Sequence, residues 1–451
     1  MKSSSYILHC RKEYSLYVMR SRAIPAATDG LKSAARRVLW MARDGKKYKS
    51  AVLAGNTMPI HPHSSPEGTV DTITAPYGNN IPLLKGYGTF GTLLGPTDYG
   101  ASRYTSVQLS NFTIDAILTD IEIIPMMENY DSTLEEPQHF LPLIPLALLN
   151  PTEGIAIGFA TNILPRSLDD IIIAQISYLN GNTDVSIPTP KFNPIQSNSH
   201  TFEQTEKGIA YYFNGEYEQL DHSTIKITKI PYSQSHAKVI SKIENELESG
   251  INIVDYTDSS RDIIDIVIKF KKGILKTLSQ SDILKMFALS VRQIENFNIL
   301  DFSGQAVWST TPDEFIKKYC DWRLQWYIKR YERLKDLLLI DIQRYKDIQC
   351  AIKHNIGGVA KKIKSRSELT ELLTNIGIVY IDYIADLPVY RFTEEERIKN
   401  ENKLNLALEK LKEYNDLLES DNKRKKIYIK ELTQLLTNYN KGKYNNEQTK
   451  Q

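Results

Sequence analysis

Two stretches of heptad spacing in the C-terminal third leave this chain little freedom in how it can fold. From Pro312 onward the sequence reads as one helix over Asp313–Asn355, in which Cys320, Leu324, Tyr327, Tyr331, Leu334 and Leu338 recur at alternating four- and three-residue steps. Such steps draw a seam along one side of a helix, and a second helix is needed to cover it. Proline suits the first helical position, where its missing N–H has no intrahelical acceptor to lose. A second helix is predicted over 394–437, with Leu404, Leu408, Leu411 and Leu418 as its seam. The two can pair antiparallel, with residues 356–393 as a small knob at the far end. The polar tail 438–451 is expected to be disordered.

At 451 residues the chain has room for roughly two to four domains. No apolar run reaches membrane-span length, and the opening MKSSSYILHCRKEY lacks the apolar core of a signal peptide. Cys10, Cys320 and Cys350 are too widely spaced to suggest a disulfide framework or a zinc site. A reducing compartment, the cytoplasm, is therefore expected.

Charge is distributed unevenly. Residues 1–50 carry twelve Lys/Arg against three acids, which favours a polyanionic partner over a neutral one. Residues 6–22 can form a short helix, and Pro25 with Asp29-Gly30 marks a turn. Leu31–Arg43 then reads as a helix with Leu31, Ala34, Ala35, Val38 and Leu39 on one side and Lys32, Arg36 and Arg43 toward the other. One face would meet a core and the other phosphates. Lys46, Lys47 and Lys49 extend the positive surface, and Ser50–Asn56 reads as another short helix. His61-Pro62-His63 has no third ligand at a familiar metal spacing, so its imidazoles are expected to hydrogen-bond, phosphate oxygens being possible acceptors.

Gly86–Leu109 is a glycine-rich loop closing on Arg103-Tyr104, and it holds Tyr87, Tyr99 and Tyr104. The acidic, proline-bearing segment 120–137 reads as a connector. Phe140–Ala160 fits a buried strand–turn–strand unit, within which Ile155 is either simply buried or placed for a role. From 167 to about 310, helical and strand signals alternate without a chemical motif: Asp169–Leu179 as helix, Ile225–Ile230 and Ile263–Phe270 as strands. No phosphate-binding loop, ATPase signature or magnesium-binding acidic cluster is found, so ATP-driven or metal-assisted work would need those parts from another polypeptide.

Taken together, these segments resemble the A-type, breakage–reunion subunit of type IIA DNA topoisomerases. Arg22-Ala23-Ile24-Pro25, Asp29-Gly30-Leu31-Lys32 and Arg36-Arg37-Val38-Leu39 are similar to the family's RALPxxRDGLKPxxRRxL. His61-Pro62-His63 matches its HPH, Gly86–Gly91 its GxGNFG, Ala101–Thr105 its Arg-Tyr segment and Gly154–Asn162 its GIAVGMATN. Tyr383–Leu387 through Thr393 is similar to its C-gate knob. The resemblance runs over essentially the whole chain and is nearest to the T-even bacteriophage branch. Two departures stand out: Ala35 replaces a histidine usual in bacterial relatives, and Pro66 and Gly68 fall where relatives start a regular DNA-facing helix.

The resemblance implies an α+β multidomain fold. An N-terminal arm (1–29) would lead to a winged-helix, helix-turn-helix DNA-binding domain (30–138), an α+β tower (139–311) and a long antiparallel coiled coil (312–437) with a helical dimerisation knob (356–393). It implies Tyr104 as the nucleophile that forms a 5′-phosphotyrosyl link, with Arg103 beside it and Arg22, His61 and His63 around the scissile phosphate. Lys32, Arg36, Arg37 and Lys49 would hold flanking phosphates, and Ile155 would wedge a base step. Magnesium would be held mainly by a partner's TOPRIM domain and ATP hydrolysed by a partner chain, with no metal site on this chain. Double-stranded DNA, those partners and a second copy joined through the C-gate would complete the machine, in a host cytoplasm during phage DNA replication, for relaxation or decatenation. A non-catalytic architectural DNA-binding coiled coil is the alternative. A tyrosine recombinase would need its tyrosine near the C-terminus.

Overall fold

The computed structural model describes residues 3–62, 66–185, 188–192, 196–206, 208–359 and 363–444. The chain divides into two compact units, residues 1–322 with 429–451, and residues 323–428.

In the first unit, α1 (Ser3–Val18) runs directly into a π-helical turn, Met19–Ala23. Next come α2 (Ser33–Met41), β1 (Tyr48–Lys49), α3 (Ser50–Asn56) and α4 (Pro66–Thr74). Ala35, Val38 and Leu39 of α2 are buried, as their spacing predicts. The segment where Pro66 and Gly68 depart from the relatives is still helical. Pro66 is the first residue of α4, where no N–H is needed, and Gly68 has open space around it.

β2 (Leu84–Tyr87) and β3 (Ser106–Leu109) pair antiparallel, giving a sheet in the order β1-β3-β2. The glycine-rich stretch is thus a connection whose two ends are zipped together. Gly86 lies in the edge strand, where a Cβ would stand 2.5 Å from the ring of Phe90. Glycine there lets Phe90 bury completely and plug the base of the loop.

α5 (Asn111–Ala116) is capped by Ser110, whose hydroxyl accepts from the Thr113 amide. The segment 120–137 is a hairpin rather than a plain connector. Its strands β4 (Met126–Glu128) and β5 (Glu135–Pro137) are tied down by Asn129, which donates to the carbonyls of Pro59 and Ile60. Phe140–Leu149 is buried but irregular, with a 3-10 turn at Leu146–Leu148. The strand pair expected there comes later, as β6 (Thr152–Ala156) and β7 (Phe159–Ile163).

Beyond α6 (Leu168–Leu179) lie β8 (His200–Thr205), β9 (Gly208–Asn214), β10 (Glu216–Gln219), β11 (Thr224–Lys229), α7 (His236–Ser249), β12 (Ile253–Asp258), β13 (Ile266–Phe270), α8 (Gln280–Met286), β14 (Ser290–Glu295), β15 (Asn298–Leu300) and β16 (Val307–Ser309). They form sheets in the orders β14-β9-β8 and β10-β11-β13-β12. Ile225, Ile227, Ile266 and Ile268 alternate onto one face and bury with Val239 and Ile243 of α7, each contributing roughly 1.5–3 kcal/mol. Arg166, fully buried, donates to both oxygens of Glu295 on β14, whose carboxylate also accepts from the Leu164 amide. This pair joins the end of β7 to the sheet.

The second unit is helical. It contains most of α9 (Pro312–Lys353), then α10 (Ile356–Val359), α11 (Arg366–Asn375), α12 (Ile381–Ala385) and α13 (Glu394–Glu419), and the first turns of α14 (Asp421–Asn440). Asn400 donates to the Tyr345 carbonyl, Leu404 and Ala407 pack with Ile342, and the rings of Tyr414 and Tyr331 lie 5.6 Å apart. Numbers rise on α13 as they fall on α9, so the helices run antiparallel. The seam of α13 is displaced by one residue at two of its four expected positions, for Leu408 is exposed and Ala407 buried, and Leu417 rather than Leu418 is buried. The helix predicted over 394–437 is also broken at Ser420, which separates α13 from α14. Ile348 and Ala351 of α9 share one buried core with Ile356, Leu373, Ile378 and Ile384.

The tail is corrected over residues 438–444, and 445–451 lie outside the described residues. In the first unit, α14 runs on to Asn440, and Tyr444 is buried against Phe112 of α5 with ring centroids 5.6 Å apart. One oxygen of Asp115, Oδ2, accepts from Asn438 Nδ2 (3.3 Å), Lys443 Nζ (2.6 Å) and the Tyr444 hydroxyl (2.7 Å). Burial and then the Asp115 carboxylate raise the Tyr444 phenol well above its ordinary range.

Candidate active site

Tyr104 lies in a turn immediately before β3, and its side chain is 72% exposed. The turn closes on itself through the Tyr104 and Thr105 amides, both donating to the Ala101 carbonyl. The first amides of α3 reinforce it: Ser50 N–H donates to the Thr105 carbonyl and Ala51 N–H to that of Ser102. These groups lack intrahelical acceptors, so a helix end is spent on fixing the tyrosine's backbone. The Ser50 and Thr105 hydroxyls, 2.7 Å apart, add a buried contact, and Lys49 Nζ donates to the Tyr104 carbonyl at 2.9 Å. Arg103 lies with its guanidinium carbon 4.9 Å from the centroid of the Tyr104 ring. The result is a phenol in solvent on a rigid backbone, with a cation over its face.

Arg22 and His61 form a second cluster, through a residue that motif reading passed over. The Tyr17 hydroxyl lies 2.9 Å from His61 Nε2, and Arg22 lies over the Tyr17 ring at 5.7 Å from its centroid. The His61 ring also meets Tyr130 edge-on at 5.7 Å. Nothing in an α-helical pattern points to Tyr17, because it and Arg22 are five residues apart. His63 lies outside the described residues.

Of the cations expected on flanking phosphates, two are engaged with carboxylates. Arg36 is buried and donates to both oxygens of Asp29 at 2.6 and 2.8 Å. That carboxylate also accepts from the Leu31 and Phe140 amides. Arg37 makes a two-pronged contact to buried Glu136, at 2.5 and 3.0 Å. Both guanidiniums are engaged inside the fold, and withdrawing either would strand a buried carboxylate. Lys49 remains exposed.

Lys32 and Ile155 belong to one feature. The β6–β7 hairpin carries Ile155 at 87% exposure, with Ile157 and Phe159 also exposed at its tip, which rules out the buried reading of Ile155. Lys32 Nζ donates to the Glu153 carbonyl at 2.6 Å. Burial pulls the Lys32 ammonium below its ordinary range, and the Glu153 charge partly opposes this. At Gly154 an added Cβ would stand 1.9 Å from the Ala23 carbonyl oxygen. The hairpin backbone therefore presses directly on the turn that carries Arg22.

Among the described residues, no three His, Cys, Asp or Glu side chains gather into a metal-binding group. Nor is any helix there long and apolar enough to cross a membrane.

Known proteins share both this sequence and this fold. A family model for the A subunit of DNA gyrase/topoisomerase IV matches residues 22–433. The DNA topoisomerase medium subunit of Enterobacteria phage T4 is 27% identical over 403 residues, covering 86% of this chain and 89% of that protein. The DNA gyrase A subunit of Borreliella burgdorferi is 28% identical over 451 residues, covering 90% of this chain and 54% of that one. The chain thus spans nearly the whole phage relative and about half of the gyrase relative. A crystal structure of the Plasmodium falciparum topoisomerase II DNA-binding, cleavage and re-ligation domain superposes with a TM-score of 0.81 over 97% of this chain and 65% of that one, at 22% identity. At that identity the likeness concerns the fold.

Proposed function

The chain belongs to the family of DNA gyrase/topoisomerase IV A subunits, and we propose that it is the DNA-cleaving and rejoining subunit of an ATP-dependent type IIA topoisomerase acting in phage DNA replication. The observation that carries this reading is Tyr104: an exposed phenol, its backbone pinned by α3 and Lys49, with Arg103 over its ring.

A free phenol ionises near pH 10 and is a weak nucleophile at neutral pH. A guanidinium close by favours the phenolate and offsets charge that builds on the phosphate oxygens in the transition state. Attack forms a bond from the Tyr104 oxygen to phosphorus and breaks the bond to the 3′ oxygen. The phenol proton is lost and one is gained at the 3′-hydroxyl, so the step balances. Reversal restores the phosphodiester without input of energy. Arg22 would bind the scissile phosphate with His61 close by, Lys32 and Lys49 would lie toward its neighbours, and Ile155 would enter a base step and bend the duplex. A base-step wedge has to project from its scaffold, and Ile155 does. The helices of residues 33–74 with the sheet β1-β3-β2 would be the helix-turn-helix and wing that carry this site.

Magnesium on a TOPRIM partner would assist departure of the 3′ oxygen. A partner ATPase would drive strand passage. Each copy cuts one strand, so two are required, and the knob is the proposed joint. Its exposed Val379, Val389 and Tyr390 favour that role. An architectural coiled coil would leave the pinned Arg103-Tyr104 turn without a use.

The test is a denaturant-trapped covalent complex with duplex DNA, formed by the chain with its partners in magnesium. Tyr104→Phe should abolish the complex while DNA binding persists. An undiminished complex would remove Tyr104 from the nucleophile's role.

A further inference from the structure

We propose that Tyr17 is a positioning residue, anchored by His61, that yokes Arg22 in place toward one DNA phosphate. The inference rests on the function proposed above and adds a residue to it.

The yoke is built by backbone geometry. At about 3.6 residues per turn, positions five apart fall on well-separated sides of an α-helix. Here α1 gives way after Val18 to the π-helical turn, closed by the Ile24 amide donating to the Met19 carbonyl. The wider turn closes at five residues rather than four, and Arg22 thereby comes over the Tyr17 ring. Single-turn π segments are rare, and they are frequent at functional sites.

Tyr17 then serves its two neighbours with two different parts. Its ring face holds the guanidinium of Arg22, an attraction that leaves the N–H groups able to meet an anion. Its hydroxyl holds His61 by Nε2, while the Tyr130 ring backs the imidazole edge-on. With Nε2 held by the phenol and Nδ1 buried, His61 serves as the anchor, and the guanidinium so fixed meets a phosphate without first losing rotamer freedom, which is the benefit of preorganisation. Both contacts come from a side chain that never needs to touch DNA.

Because ring and hydroxyl have separate partners, two substitutions separate them. Tyr17→Phe keeps the ring under Arg22 and removes only the contact to His61. Covalent-complex formation at saturating DNA should slow roughly three- to tenfold, the size of one hydrogen bond, with DNA affinity and the unfolding midpoint unchanged. The same substitution should have no further effect in a His61→Ala background or in an Arg22→Ala background. Tyr17→Leu, which removes both contacts, should slow the reaction more than Tyr17→Phe. Equal slowing by Tyr17→Phe with and without His61 would overturn the proposal.

A second measurement does not depend on catalysis. In histidine-labelled NMR of the full chain, Tyr17→Phe should move the imidazole signal that His61→Ala removes; an unmoved signal also overturns the proposal. Absence of any covalent complex from the unsubstituted chain with its partners would instead count against the proposed function, and the NMR contact would stand.

Discussion

Arg36 and Arg37 on α2 carry the same side chain as Arg22 and Arg103, and differ in what meets it. The first two face carboxylates, Asp29 and Glu136, in buried two-pronged pairs. The second two face phenol rings, Tyr17 and Tyr104, and remain exposed. A carboxylate satisfies a guanidinium's charge and its hydrogen bonds together. An aromatic face answers part of the charge and leaves the N–H groups open. The partner, more than the residue type, therefore decides whether an arginine serves the fold or a polyanion.

That contrast can be broken by experiment. The largest effect on stability is expected from Arg36→Ala, which strands the fully buried Asp29 and should cost about 3–5 kcal/mol, read as a shift in the denaturant unfolding of the whole chain. Unchanged stability with weakened DNA binding would return Arg36 to the phosphates. Next comes Arg103→Ala, expected to slow covalent-complex formation about a hundredfold or more, as losing one transition-state donor does elsewhere, while the unfolding midpoint stays put. Loss of stability without loss of rate would place Arg103 with the structural pair. The smallest effect belongs to Lys49→Ala. Binding should weaken evenly across DNA sequences, and the slope of log affinity against log salt should fall by about one.

Sequence patterns reached the proposed nucleophile but not the electrostatics around it. Arg103-Tyr104 is contiguous, and the buried face of α2 follows from its spacing. Whether Arg37 points outward depends on Glu136, ninety-nine residues away and inside a segment whose acidity and prolines read as a connector. Tyr17 escaped for a different reason, since helical periodicity assumes an α register and the π turn breaks it. In α13 the seam error is one of packing. Ala407 and Leu408 are both apolar, and only the facing surface of α9 selects the smaller one. The tail misled because it is polar throughout, while its docking rests on one ring, Tyr444, and one carboxylate, Asp115.

The Asp115 clasp also bears on how the chain can be made. The three donors it collects come from residues 438–444, yet they close a unit that otherwise ends at Trp322. During synthesis at roughly 5–20 residues per second, α5 would emerge and then wait on the order of ten seconds or more for its last partners, while the entire helical unit is translated in between. Until then Phe112 lacks its cover and Asp115 its counter-charge. The tyrosine-bearing half of the molecule, first to leave the ribosome, is thus the half whose folding is completed last.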